Sequence, residues 1–268
     1  MLYHAKNGTV KHKDWQMDYI RFGTGPRTLV MLPGLGESLR SVKGTALPTA
    51  LMYRMFAKEF TVYMFSRRTD LPEGWGTRDM ARDLSEAMDC LGIGKAAVFG
   101  VSMGGMIAQY LAVDHPDRVE KLVLAVTSPR SNPILRESIE EWVSFAQRDD
   151  HTAFMESNLR RIYSEKYCRQ NGWMVPILGK LTKPKSYRRL YIQAQACLEH
   201  DVYDALGQIT APALIVGGEK DLALGGEASR EMAEKIPNAK LYMYSQLGHG
   251  LYEEAPDFNK RVYAFLMA

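Results

Sequence analysis

The chain has 268 residues, with 34 Lys and Arg against 31 Asp and Glu, for a formal net charge of +3. Its 46% hydrophobic and 24% charged residues exclude an intrinsically disordered chain, and so small a positive excess excludes nucleic-acid binding by bulk electrostatics. Length alone permits one large or two modest domains, with enough core to need no disulfide or metal staple.

Taken in chain order, the segment Leu2 to Phe22 carries short strand-like pieces around Asn7-Gly8, a dipeptide suited to a hairpin turn. Apolar runs of strand length follow at Leu29–Leu32, Thr61–Phe65, Ala96–Phe99, Leu122–Val126, Ala213–Val216 and Leu241–Tyr244. Their unbroken apolar character predicts strands covered on both faces, as in a parallel sheet. Between them, Thr77–Leu91 places Met80, Leu84, Ala87, Met88 and Leu91 on one helical face, with Thr77 positioned to cap. Ser102–Val113, Ala228–Ile236 and Pro256–Met267 have the same helical periodicity. Alternating strands and helices after an antiparallel ribbon predict an α/β fold, a mostly parallel sheet sandwiched by helices.

The alternation breaks between Pro129 and Gln208, where every apolar pattern is helical. Asn132-Pro133 opens one helix, and others are predicted over Thr152–Tyr163 and Lys185–Glu199. An insertion of about 80 residues is expected to be a packed lid rather than a loop. The domain reading is therefore a core of residues 1–128 and 209–268 with a helical cap over 129–208. The lid's basic cluster, Lys180, Lys183, Lys185, Arg188 and Arg189, is expected to be a solvated face. The methionines, including Met52, Met55, Met103 and Met106, are expected to fill the core, and Trp75, Trp142 and Trp173 to pack.

Cys90, Cys168 and Cys197 are odd in number and irregularly spaced, which fits buried free thiols in a reducing compartment. No run approaches the ~18 apolar residues of a membrane span, and Met1–Lys13 lacks the apolar core of a signal peptide. A cytoplasmic protein with no membrane partner is expected.

The most informative string is Gly100-Val-Ser102-Met-Gly104, placed where a strand pattern ends and a helix pattern begins. A serine on that turn projects its hydroxyl above the sheet edge, and the helix N-terminus beneath offers N–H groups to a developing oxyanion. The hydroxyl needs a base. Among six histidines, His249 lies in the glycine-flanked loop between the last strand and the last helix, aimed at the same edge. An imidazole base needs an orienting carboxylate. Asp221 follows the strand Ala213–Val216 through Gly217-Gly218-Glu219-Lys220, with Glu219 as the alternative acid.

The order Ser102, Asp221, His249 resembles the α/β-hydrolases. Leu32-Pro-Gly-Leu-Gly-Glu37 is similar to that family's oxyanion loop, and His115-Pro-Asp-Arg-Val-Glu-Lys-Leu-Val-Leu to its approach to the sixth strand. The segments ending in Asp221 and around Gly248-His249-Gly250 resemble its acid and base segments. The resemblance implies an oxyanion hole formed by the backbone N–H groups of Leu35 and Met103, and a helical cap at the insertion. Two stretches depart from the family pattern. Pro33-Gly34 stands where many relatives have His-Gly, and Phe65-Ser66-Arg67-Arg68-Thr69-Asp70 where relatives commonly have Asp-Arg-Gly.

What this implies is a serine hydrolase acting on a small to medium carboxylic ester, thioester or lactone, with a small-molecule substrate and no metal or organic cofactor. A C–C bond hydrolase, a perhydrolase or an acyltransferase on the same three residues, or a non-catalytic small-molecule receptor, stands as the alternative.

Overall fold

Leu29 and Met31 pack on one side of a central sheet and Val30 and Leu32 on the other, and all four are buried. The same alternation puts Ala97, Phe99 and the partner Val123 on one side and Val98 with its partner Leu122 on the other, as the two-residue side-chain period of a strand covered on both faces requires. A computed structural model describes residues 2–268. Its eight strands are β1 (Lys6–His12), β2 (Trp15–Phe22), β3 (Arg27–Leu32), β4 (Phe60–Arg68), β5 (Ala96–Val101), β6 (Val119–Ala125), β7 (Ala213–Gly218) and β8 (Ala239–Tyr244). They lie in the order β1-β2-β4-β3-β5-β6-β7-β8. β2 is antiparallel to both of its neighbours, and every pairing from β4 to β8 is parallel.

The helices of the sheet layers are α1 (Ala46–Met52), α2 (Thr77–Cys90) and α3 (Met103–Asp114), with α9 (Glu227–Lys235), α10 (Leu251–Glu254) and α11 (Phe258–Met267) after the insertion. Between β6 and β7 run α4 (Pro133–Gln147), α5 (His151–Ile162), α6 (Glu165–Asn171), α7 (Val175–Leu181) and α8 (Arg188–Leu198). α2 buries Met80, Leu84, Ala87 and Met88 as its periodicity predicts, and each long side chain so buried contributes roughly 1.5–3 kcal/mol. α4 to α6 start at side-chain caps, Asn132, Asp150 and Ser164, each accepting a backbone N–H of the first turn. Leu135, Ile139, Trp142, Phe154 and Leu190 from this segment join the core formed by α2, α3 and one face of the sheet. Among the described residues, no helix is long and apolar enough to cross a membrane.

Several local expectations are corrected. Asn7-Gly8 is not the hairpin turn. Both residues lie inside β1, where Gly8 pairs with Tyr19, and the chain reverses at Lys13-Asp14. Gly8 is there because the Tyr19 ring covers it, and an added Cβ would sit 2.3 Å from Tyr19 Cζ. Thr77 is the first residue of α2 rather than its cap. Gly76 holds that position, its N–H bonded to Asp79 Oδ2 at 3.0 Å, while the Thr77 hydroxyl lies 2.8 Å from His200 Nδ1. Only Cys197 of the three thiols is buried, and Cys90 is exposed. Trp173, Met52 and Met55 are exposed rather than packed, whereas Met103, Met106 and Trp142 are buried.

Candidate active site

The sheet's parallel strands all deliver their C-terminal ends to one edge, which is where ligands bind in such folds. Ser102 follows β5 directly, Asp221 lies three residues beyond β7, and His249 lies between β8 and α10. Ser102 has φ 53° and ψ −124°, an unfavourable conformation for a residue with a Cβ, and it heads α3. The turn closes only because its flanks are glycines. A Cβ on Gly104 would stand 2.1 Å from the Leu32 carbonyl oxygen, and one on Gly100 2.5 Å from the Gly104 oxygen. The Ser102 N–H is bonded to Ala125 O at 2.9 Å, which ties the strained residue to β6.

Asp221 and His249 are buried and paired, with Asp221 Oδ2 2.8 Å from His249 Nδ1. The other carboxylate oxygen, Oδ1, accepts the N–H groups of Ala223 at 2.8 Å and Leu224 at 2.9 Å. An ionised carboxylate only accepts, so the imidazole proton sits on Nδ1 and leaves the Nε2 lone pair as the base. The alternative acid, Glu219, turns away to Arg230.

Ser102 and His249 line one cavity of about 420 Å³, together with Gly34 and Leu35 of the loop after β3. Behind Ser102, a recess of about 20 Å³ is bordered by Leu35, Met103 and His249. That is room for one oxygen-sized group. Met103 is the first residue of α3, whose opening N–H groups have no partner within the helix. Leu35 likewise opens a single 3₁₀ turn, Leu35–Ser38. The structure therefore brings together all five residues singled out from the sequence.

The chain matches the α/β-hydrolase-fold family over residues 27–256. It belongs to that family. It is 27% identical over 252 residues to a putative carbamate hydrolase, RutD, of Caulobacter sp. (strain K31), covering 90% of each chain. It is 26% identical over 278 residues to the 2-hydroxy-6-oxononadienedioate/2-hydroxy-6-oxononatrienedioate hydrolase 1 of Dechloromonas aromatica (strain RCB), covering 94% of this chain and 91% of that one. Its backbone superposes on the crystal structure of the enol-lactonase from Burkholderia xenovorans LB400 with a TM-score of 0.82, at 21% identity, covering 97% of this chain and 100% of the other.

Sequence reasoning missed a polar network beneath the loop after β3. Glu37, whose side chain is fully buried, accepts from Arg189 Nη2 at 2.6 Å, Gln193 Nε2 at 3.0 Å and the Arg67 N–H at 3.3 Å. Arg189 also donates to the carbonyls of Arg68 and Thr69 at 2.7 and 3.2 Å. The expected solvated basic face is thus corrected for Arg189, which α8 delivers to a buried carboxylate as its counter-ion. Glu37 sits inside the oxyanion-loop string, and a charge among glycines there was the available signal. Glu253, four residues after His249, and Tyr163, just after α5, also line the cavity, and nothing in their local pattern distinguishes them from surface residues.

Proposed function

We propose that this protein is a serine hydrolase that cleaves a small to medium carboxylic ester, thioester or lactone through an acyl-serine intermediate. The observation that carries the reading is the buried Asp221–His249 pair sharing one cavity with a strained Ser102. Ser102 Oγ attacks the carbonyl carbon while His249 Nε2 takes its proton, and Asp221 holds the ring and stabilises the imidazolium. The N–H groups of Leu35 and Met103 receive the oxyanion, each worth about 100- to 1,000-fold in kcat. His249 then protonates the leaving group, and water, activated by the same imidazole, releases the acid. In this reading residues 129–208 form the cap that roofs the site, and Trp142, Phe154, Asn158, Ile162, Tyr163 and Leu190 are its contribution to the cavity wall.

The relatives are named for carbamate, oxo-dienedioate and enol-lactone chemistry. All three names are hydrolytic, which supports hydrolysis, and their spread leaves the scissile bond to be argued from the cavity. About 420 Å³ with largely apolar walls suits a short to medium acyl or alkyl chain.

Purified protein assayed on nitrophenyl and methyl esters of graded length tests the reading. Turnover that vanishes in Ser102→Ala, with covalent fluorophosphonate labelling of Ser102 alone, is the expected result. Equal labelling of Ser102→Ala and wild type overturns it.

A further inference from the structure

The cavity beside Ser102 holds two carboxylates in different circumstances. Glu37 is answered by Arg189 and Gln193. Glu253 has no Lys, Arg or His within ion-pair distance among the described residues, and its Oε2 accepts a 2.7 Å hydrogen bond from the Tyr163 hydroxyl. Glu253 is exposed where the cavity opens, and its side chain borders that open space. Partial desolvation by the atoms packed around it, with a further push from Glu254, holds its carboxyl above the ordinary carboxylate range against the lowering effect of the Tyr163 hydrogen bond. The corner is fixed in place. Gly250 N–H donates to Ile162 O at 2.6 Å, Glu253 N–H to Gly250 O at 2.9 Å, and the Tyr163 ring packs against Gly250, where a Cβ would stand 2.7 Å from it.

A carboxylate with one donor and no counter-ion still has acceptor capacity turned to the cavity, and a second carboxylate brought beside it meets like charge. We propose that Glu253, oriented by Tyr163, is a specificity determinant: the cavity favours substrates that bring a hydrogen-bond donor, an ammonium above all, to the Tyr163 corner, and rejects those that bring a carboxylate. This rests on the hydrolase reading and deepens it to a substrate class.

The test compares nitrophenyl esters of matched chain length ending in methyl, ammonium or carboxylate, at mildly alkaline pH. The wild type is expected to turn over the carboxylate ester with kcat/KM at least about tenfold below the methyl ester, and the ammonium ester at or above it. In Glu253→Gln the carboxylate-to-methyl ratio rises severalfold and the ammonium advantage disappears, and Tyr163→Phe moves both ratios in the same direction by less. A wild type that hydrolyses the carboxylate ester as well as the methyl ester, or a Glu253→Gln ratio that stays within about twofold of wild type, overturns the inference. Failure to hydrolyse even the methyl ester strikes the hydrolase reading instead. Charge selection is then read by calorimetric binding of the matched alkanol, amino-alkanol and hydroxy-alkanoate to Ser102→Ala protein. Tighter binding of the amino-alkanol than of the hydroxy-alkanoate supports the inference, and indistinguishable heats overturn it.

Discussion

Arg67 donates from Nη2 to the carbonyl oxygen of Pro33 at 2.6 Å, joining the exit of β4 to the loop that passes over Ser102. A Cβ on the next residue of that loop, Gly34, would lie only 3.1 Å from Ser102 Cβ. The two places where the sequence departs from the pattern of its relatives therefore meet in space. The arginine anchors the loop that presents the Leu35 N–H. Burial pulls the Arg67 pKa down while Glu37 pulls it up, and its Nε and Nη1 find no acceptor among the described residues. Arg67→Met is expected to lower kcat about 10- to 100-fold with a smaller change in KM, because the oxyanion is felt in the transition state rather than in the ground state. Arg67→Lys recovers part of the loss, since an ammonium reaches a carbonyl without the guanidinium fork. Steady-state kinetics on a neutral ester, with urea unfolding as the control, separates this from simple destabilisation.

Asp221→Asn keeps the shape of the acid and inverts its hydrogen bonding. With the amide oxygen still accepting from Ala223 and Leu224, the NH₂ group faces His249 Nδ1 and forces the ring proton onto Nε2, the wrong tautomer for a base. By analogy with the same change in trypsin-like triads, kcat falls about 10⁴-fold while the fold persists. Kinetics paired with a circular-dichroism melt checks both halves of the statement.

Gly104→Ala tests the elbow's geometry. The new Cβ meets backbone, Leu32 O at 2.1 Å, rather than a side chain that can swing away. Either β3 or α3 must shift, at a cost of about 1–3 kcal/mol or more. A lowered unfolding midpoint together with lost fluorophosphonate labelling is expected. A variant as stable and as reactive as wild type contradicts the close approach.

His200 links stability to pH. Buried against Tyr110 and bonded to Thr77, it is held neutral, with its pKa lowered by desolvation from 6.5 to about 3. The unfolded chain binds this proton more readily, so the contribution is complete above about pH 6.5 and is lost as pH falls towards 3, at about 1.4 kcal/mol per pH unit within that window. Urea titrations of wild type and His200→Gln across that range should show wild type losing stability with about one proton's steeper slope, so the two converge in acid.

Reading the sequence recovered what is written in short range. The apolar runs of β3, β5 and β7 are unbroken because both faces of each strand are covered, and the stripe of α2 repeats because one face of the helix is buried. Gly100-Val-Ser102-Met-Gly104 is legible because a strand that turns into a helix within one residue demands glycine on both sides. Where the local signal had a competitor, reading failed. Asn7-Gly8 has turn chemistry, but pairing of β1 with β2 placed Gly8 under Tyr19, and Lys13-Asp14 made the turn without glycine.

Taken by itself, the sequence determined the succession of strands and helices, the strained serine and the chain order of Ser102, Asp221 and His249, since each depends on residues adjacent along the chain. Only the tertiary structure decided that Asp221 Oδ2 reaches His249 Nδ1, that Arg189 leaves solvent for Glu37, and that Tyr163 meets Glu253 across the cavity. These contacts span 28, 152 and 90 residues of chain. A charged side chain looks the same in a sequence whether its partner is water or a buried carboxylate. The difference is set by desolvation, which exists only once the elements have packed.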